Sequence, residues 1–157
     1  MVQTSKLLAL IGAILSILGT FFFSLYEHVG FHVYGIGGIL NIGTAFAIAG
    51  TFVEYLLVVA FILFILAALV QVFGVPSKLI AIITGAITVV FCIFIILGNF
   101  IGGLEVFTDG IGLLFANNDW INGVIPVPIN LPGVGLGTYI ATVGGILTLV
   151  SGFLSRE

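Results

Sequence analysis

Residues 55–97 read YLLVVAFILFILAALVQVFGVPSKLIAIITGAITVVFCIFIIL, and this stretch decides the fold. Its only charged residue is Lys78, which closes Gly74-Val-Pro-Ser-Lys78, and an apolar run lies on either side. At about 1.5 Å per helical residue, the runs 55–73 and 79–97 each reach across the roughly 30 Å of a bilayer's hydrocarbon core. Pro76 bars one continuous helix, and so short a connection makes the two runs antiparallel neighbours.

Two more stretches, 7–25 and 134–154, have the same length and character. The 157 residues are 61% hydrophobic and 6% charged, against roughly a quarter charged in a soluble domain. The expected fold class is an all-α membrane protein: one domain over 1–157, built as an antiparallel bundle of four transmembrane helices. With three Lys and Arg in all, the chain has no basic patch for a phosphate backbone, which excludes nucleic acid as a direct partner.

Lys6, Lys78 and Arg156 fall on one side of this topology, which the positive-inside rule makes cytoplasmic. Glu27, Glu54, Glu105, Asp109 and Asp119 fall on the other. Tyr26, Tyr55 and Tyr139 sit near outer helix ends, with Tyr34 and Trp120 in outer loops, as interfacial aromatics do. The first apolar run ends in Phe21, Phe22 and Phe23 instead of a small-residue cleavage site, which predicts a retained signal anchor. Cys92 is the only cysteine, so no intrachain disulfide forms.

The outer loops, 26–54 and 98–133, are long, apolar and rich in glycine, so they should fold into a small cap. In the first, 31–34 and 39–42 flank Gly35-Ile-Gly-Gly38 as a hairpin would. In the second, Asp109-Gly110 and Asn122-Gly123 are turn signals, and Pro126, Pro128 and Pro132 make the approach to the fourth helix extended. Re-entrant or interfacial helix, for example over 44–50, competes with strand.

Small residues three and four apart mark faces where helices approach closely in lipid. The fourth span carries Gly137, Ala141, Gly145, Thr148 and Gly152, with Gly144 and Ser151 beside them; the third offers Ala81, Gly85, Thr88 and Cys92; the first offers Gly12, Ser16 and Gly19. The second, with Phe61, Phe64 and Ile65, is bulky and is expected to face lipid or a partner.

Glu27-His28-Val-Gly-Phe-His32 is the sharpest candidate for chemistry, because two imidazoles four apart share a face on a helix and can ligate a metal or a haem. The competing explanation for His28, His32 and Glu27 is an interfacial cluster bonded to headgroups or loop carbonyls, and no cofactor is predicted. No Lys, Arg, Asp, Glu or His lies at the centre of any span, which argues against ion-coupled transport. Ser16, Thr20, Thr84, Thr88, Thr142 and Thr148 are the hydroxyls available to an oligomeric pore. No catalytic residue is predicted.

A short inner hairpin, two long outer loops and both termini inside resemble the tetraspan plan shared by claudins, tetraspanins and connexin-like proteins. Claudins carry a Trp-containing first loop with a cysteine pair, and tetraspanins a Cys-Cys-Gly in the large loop. Here the only Trp is Trp120, in the second loop, and no outer cysteine exists, so no residue role transfers. The resemblance implies work through lateral and outer-face contacts. The expected function is therefore a non-enzymatic membrane subunit, cellular or of a viral envelope. It would assemble with itself or with other membrane subunits through its outer loops and second helix. A small subunit of a respiratory or oxidase complex near a metal, haem or quinone, and an oligomeric pore for small solutes, are the alternatives.

Overall fold

The structure, a computed structural model, describes residues 4–154; Arg156, one of the three cations used to orient the chain, lies outside them. Four helices are long and apolar enough to cross a membrane. The first is α1 (Thr4–Ile17), continued as a π-helical turn over Leu18–Phe22. The second, α3 (Phe52–Val70), tightens into a 3-10 turn over Gln71–Gly74; α4 (Lys78–Phe100) and α6 (Leu136–Phe153) complete the set. The remaining elements are strands β1 (Tyr26–His28) and β2 (Phe31–Val33), helices α2 (Gly35–Ile48) and α5 (Glu105–Phe115), and strands β3 (Asn130–Leu131) and β4 (Val134–Gly135).

Local chemistry sets the ends of these helices. Thr51 and Glu54 form a reciprocal capping box at the start of α3, the Thr51 hydroxyl accepting from the Glu54 N–H and the Glu54 carboxylate from the Thr51 N–H. Ser77 caps α4 by accepting from the Ile80 N–H, one residue after Pro76 has ended the preceding turn.

The α6 helix is packed on α1 on one side and α4 on the other, and glycine sets the separation. A Cβ on Gly12 would stand 2.6 Å from the Gly144 carbonyl oxygen, and one on Gly19 2.5 Å from the Ala141 nitrogen. On the other side, a Cβ on Gly85 would stand 2.6 Å from the Leu149 nitrogen, and one on Gly152 3.1 Å from the Lys78 carbonyl oxygen. Gly137 faces the Gly19 carbonyl, Gly145 the Thr88 side chain and Ala141 is fully buried. Backbones this close gain dispersion along their whole length without desolvating any polar group.

The bulky second span, expected to face lipid or a partner, has one outward face and one buried face. In α3, Val58, Phe61 and Phe64 are fully buried, and Leu57 and Ile65 nearly so. Phe64 stacks on Phe91 of α4 at 4.4 Å between ring centroids, and Phe61 meets Phe115 of α5 at 4.5 Å. Large rings fill the space that the glycine-lined helices do not close, while Leu56, Leu63 and Leu66 remain outward. At its far end the helix delivers Gln71, also fully buried, into the interior. The Gln71 amide donates to the Thr88 hydroxyl (2.7 Å) and accepts from the Thr148 hydroxyl (3.0 Å), fastening α3, α4 and α6 together.

Two local expectations fail. The glycines at 35, 37 and 38 do not close a hairpin; they start α2, because Gly35 sits on the Phe21 ring and Gly38 on Phe61, where a Cβ has no room. The hairpin is instead β1–β2, closed by Val29 and Gly30, both at positive φ (50° and 80°). Asp109-Gly110 is no turn either: α5 runs through it, and Gly110 lies against the Leu57 side chain. Asn122-Gly123 does turn, with Gly123 at φ 71° between the bridged Ile121 and Ile125.

Candidate functional site

The segments between the spanning helices are tied to one another by specific bonds. The Tyr26 hydroxyl donates to the Thr108 carbonyl (2.7 Å), the Tyr34 hydroxyl to the Asn118 carbonyl (2.8 Å), and His32 and Asn117 exchange both backbone hydrogen bonds. Ser24 and Val127, and Leu25 and Gly135, pair by backbone, so the first connection is woven into the second.

The histidine pair stands on this framework, but not on a helix. In the β1–β2 ladder Glu27 lies opposite His32 and His28 opposite Phe31. Side chains alternate along a strand, so the two imidazoles leave the hairpin on opposite faces. His28 packs over Gly112, where a Cβ would collide with its ring, and its Nδ1 lies 3.9 Å from the Asp109 carboxylate. His32 turns to Asp119, 3.7 Å from Nε2 to Oδ1. Glu27 is held elsewhere, accepting from the Asn130 amide at 3.0 Å. The three candidates therefore go to three places, and among the described residues no group of three or more His, Cys, Asp or Glu is placed to hold a metal.

Around His32 the structure builds a polar hollow of about 360 Å³, lined by Gly30, His32, Asn117, Asn118, Asp119 and Asn122. Behind the ring is Ser24, fully buried, its hydroxyl 3.1 Å from the Tyr26 carbonyl and 3.5 Å from His32 Nδ1. A hydroxyl has one proton, and the Tyr26 carbonyl, which has none to give, takes it. Ser24 Oγ is then the acceptor at His32 and Nδ1–H the donor, a tautomer inferred from the hydrogen-bond network. Ser24, His32 and Asp119 stand in a row, yet the serine is enclosed and its proton is committed to the carbonyl, so no nucleophile results. Asp119 Oδ2 accepts from the Gly123 N–H at 3.3 Å, while its Oδ1 is buried without a hydrogen-bond partner.

The buried tyrosines feel these carboxylates. Burial, and after it the charge of Asp109, raises the Tyr26 phenol well above the ordinary tyrosine value; burial and then Asp119 raise that of Tyr34. Both phenols stay neutral donors to their carbonyls.

Asp119, one of the outer carboxylates that could join the histidines, does stand beside His32, whereas Ser24 and the three asparagines were not legible as a site, although Asn117-Asn-Asp-Trp-Ile-Asn122 is the densest polar run in either loop. The hydroxyls expected for a pore lie inward: Ser16, Thr20, Thr88 and Thr148 are fully buried and Thr84 nearly so. Thr84, Thr88 and Thr142 each donate to the carbonyl four residues earlier. A second hollow, about 400 Å³ and apolar, opens between α3 and α4 beside Ala60, Leu63, Ala86 and Phe94. No family model, no curated protein and no solved structure matches this chain.

Proposed function

We propose that the chain is a non-enzymatic integral membrane subunit that works by assembly, with itself or with other membrane subunits. In this reading the four apolar helices cross the bilayer as an antiparallel bundle, with Lys6 and Lys78 on the cytoplasmic side and the interwoven connections forming an extracytoplasmic cap. The observation that carries it is the apolar surface those connections leave uncovered: Val29 is 82% exposed, Leu113 67%, Val106 65% and Leu40 59%. Patches of this kind mark contact surfaces when they face water.

Helix α2 adds to this. Ile39, Leu40, Phe46 and Ile48 point outward from it, and Gly43 has open space where a Cβ would be, unlike the seam glycines of α1, α4 and α6. The inward hydroxyls and the separated histidines give the pore and oxidase readings less support. Zero-length disulfide trapping tests assembly: in a Cys92→Ala background, Leu40→Cys in native membranes should yield a cross-linked dimer or a mixed disulfide with a partner subunit. Monomer throughout, together with a monomeric size in lipid nanodiscs, would refute it.

A further inference from the structure

We propose that the His32–Asp119 hollow is a binding site for a primary ammonium group. The inference does not depend on assembly. It begins from a mismatch of hydrogen-bonding roles. In the tautomer that gives Nδ1–H to Ser24, the His32 ring presents a lone pair at Nε2, and the atom facing it at 3.7 Å is Asp119 Oδ1, another acceptor. Two acceptors confront each other, and Oδ1 is buried with no donor, an arrangement that leaves its desolvation uncompensated.

Among the described residues, no Lys or Arg lines the hollow. Between Lys6 and Lys78, and again between Lys78 and Arg156, no Lys or Arg occurs, while Glu27, Glu105, Asp109 and Asp119 all lie in the connections. A positively charged donor from outside would match this carboxylate.

Size and ligand chemistry narrow its identity. A bare metal ion would find one imidazole and one carboxylate, with no third His, Cys, Asp or Glu placed to complete its shell among the described residues. The space, about 360 Å³, suits a small organic group. An ammonium has three protons, enough for the Asp119 carboxylate, for His32 Nε2 and for an asparagine such as Asn122 in the same wall. That group is carried either by an aminophospholipid headgroup or by a free small amine.

Trp120, the only tryptophan, adjoins Asp119 and is half exposed, so its fluorescence reports on the hollow. The full chain in phosphatidylcholine nanodiscs, at pH 8 where an ordinary imidazole is neutral, is titrated with ethanolamine, with choline and with zinc chloride. In a second arm the nanodiscs contain phosphatidylethanolamine. A saturable change with ethanolamine, or a spectrum already shifted in the phosphatidylethanolamine discs, supports the site, and the responding arm identifies the source. Asp119→Asn, which keeps shape but removes charge, should weaken the response at least about tenfold. Asn122→Ala, a milder change, should weaken it less, and circular dichroism checks that both variants are folded. Choline, which lacks N–H donors, should give no response. Equal responses to choline and ethanolamine, a response to zinc alone, an unchanged response in a folded Asp119→Asn, or silence in every arm would overturn the proposal.

Discussion

Replacing Gly85 by alanine isolates the contribution of close backbone approach. The added Cβ would lie 2.6 Å from the Leu149 nitrogen, 2.8 Å from the Gly145 carbonyl oxygen and 2.9 Å from the Leu149 Cα, all backbone atoms that no rotamer change can move aside. Ordinary contact begins near 3.4 Å, so α6 must withdraw by about 0.8 Å at this point. It has nowhere to go, because on its other side Gly12 and Gly19 hold it equally close to α1. A gap of that size forfeits a quarter to a half of the attraction of each pair it opens. Overpacking costs about 1–3 kcal/mol, and a clash with three backbone atoms belongs at the upper end. Alanine's better helix propensity returns about 1 kcal/mol, so the expected net loss is about 2 kcal/mol. The same substitution at Gly43, where nothing lies within 4 Å, keeps the propensity gain and meets no clash, so it should be neutral or stabilising. Reversible unfolding of the two variants in mixed micelles measures the difference. Gly85→Ala as stable as the parent, or Gly43→Ala more damaging than Gly85→Ala, would refute the reasoning.

Gln71→Leu removes the bonds to Thr88 and Thr148. It should cost about 1–3 kcal/mol by the same assay, and less if Thr148 turns back to its own helix. Tyr26→Phe leaves the Thr108 carbonyl without its donor and should cost about 1–2 kcal/mol in chemical unfolding. The raised Tyr26 value also fixes a sign: the neutral phenol's contribution is fully present below the ordinary tyrosine value of 10.0 and is lost as pH rises from there through the higher folded value. Absorbance titration should show one phenolate appearing only with alkaline unfolding, and its ionisation in the folded protein near the ordinary value would contradict the burial. Val29→Asn relieves a β-branched residue at φ 50° whose side chain is almost wholly exposed, so the melting temperature should rise, by up to about 1 kcal/mol of stability.

The spanning helices were legible because their signal is simple. Hydrophobic length and the breaking residue Pro76 act locally, and the ends fell within a few residues of 7–25, 55–73, 79–97 and 134–154. Which face of α3 turns inward was not legible, because apolarity on every side of a helix is consistent both with lipid and with a ring-filled interior. Phe61 and Phe64 took the second course only because Phe91 and Phe115 were brought to them by α4 and α5. Gln71 is the same lesson in reverse: near a span's end it reads as a polar boundary residue, and three hydroxyl-bearing turns of two other helices make it a central fastening.

In the connections, glycine misleads for a definite reason. At Gly123 it is used for its positive φ, and the turn follows from sequence; at Gly35, Gly38, Gly110 and Gly112 it is used for its missing Cβ, inside helices, with partners 14 to 84 residues away such as Phe21, Phe61, Leu57 and His28. Sequence spacing cannot distinguish the two uses. The histidines suffer from the same ambiguity of period: positions 28 and 32 share a face with helical spacing and are divided by a hairpin, and the choice rests on Val29 and Gly30 adopting left-handed backbone. Once the hairpin forms, His28 is drawn to Asp109 and His32 to Asp119, each a carboxylate from the other connection. The polar chemistry of this chain therefore exists only after its two connections have been folded together. A truncation of either connection should abolish the hollow even where all four long helices remain.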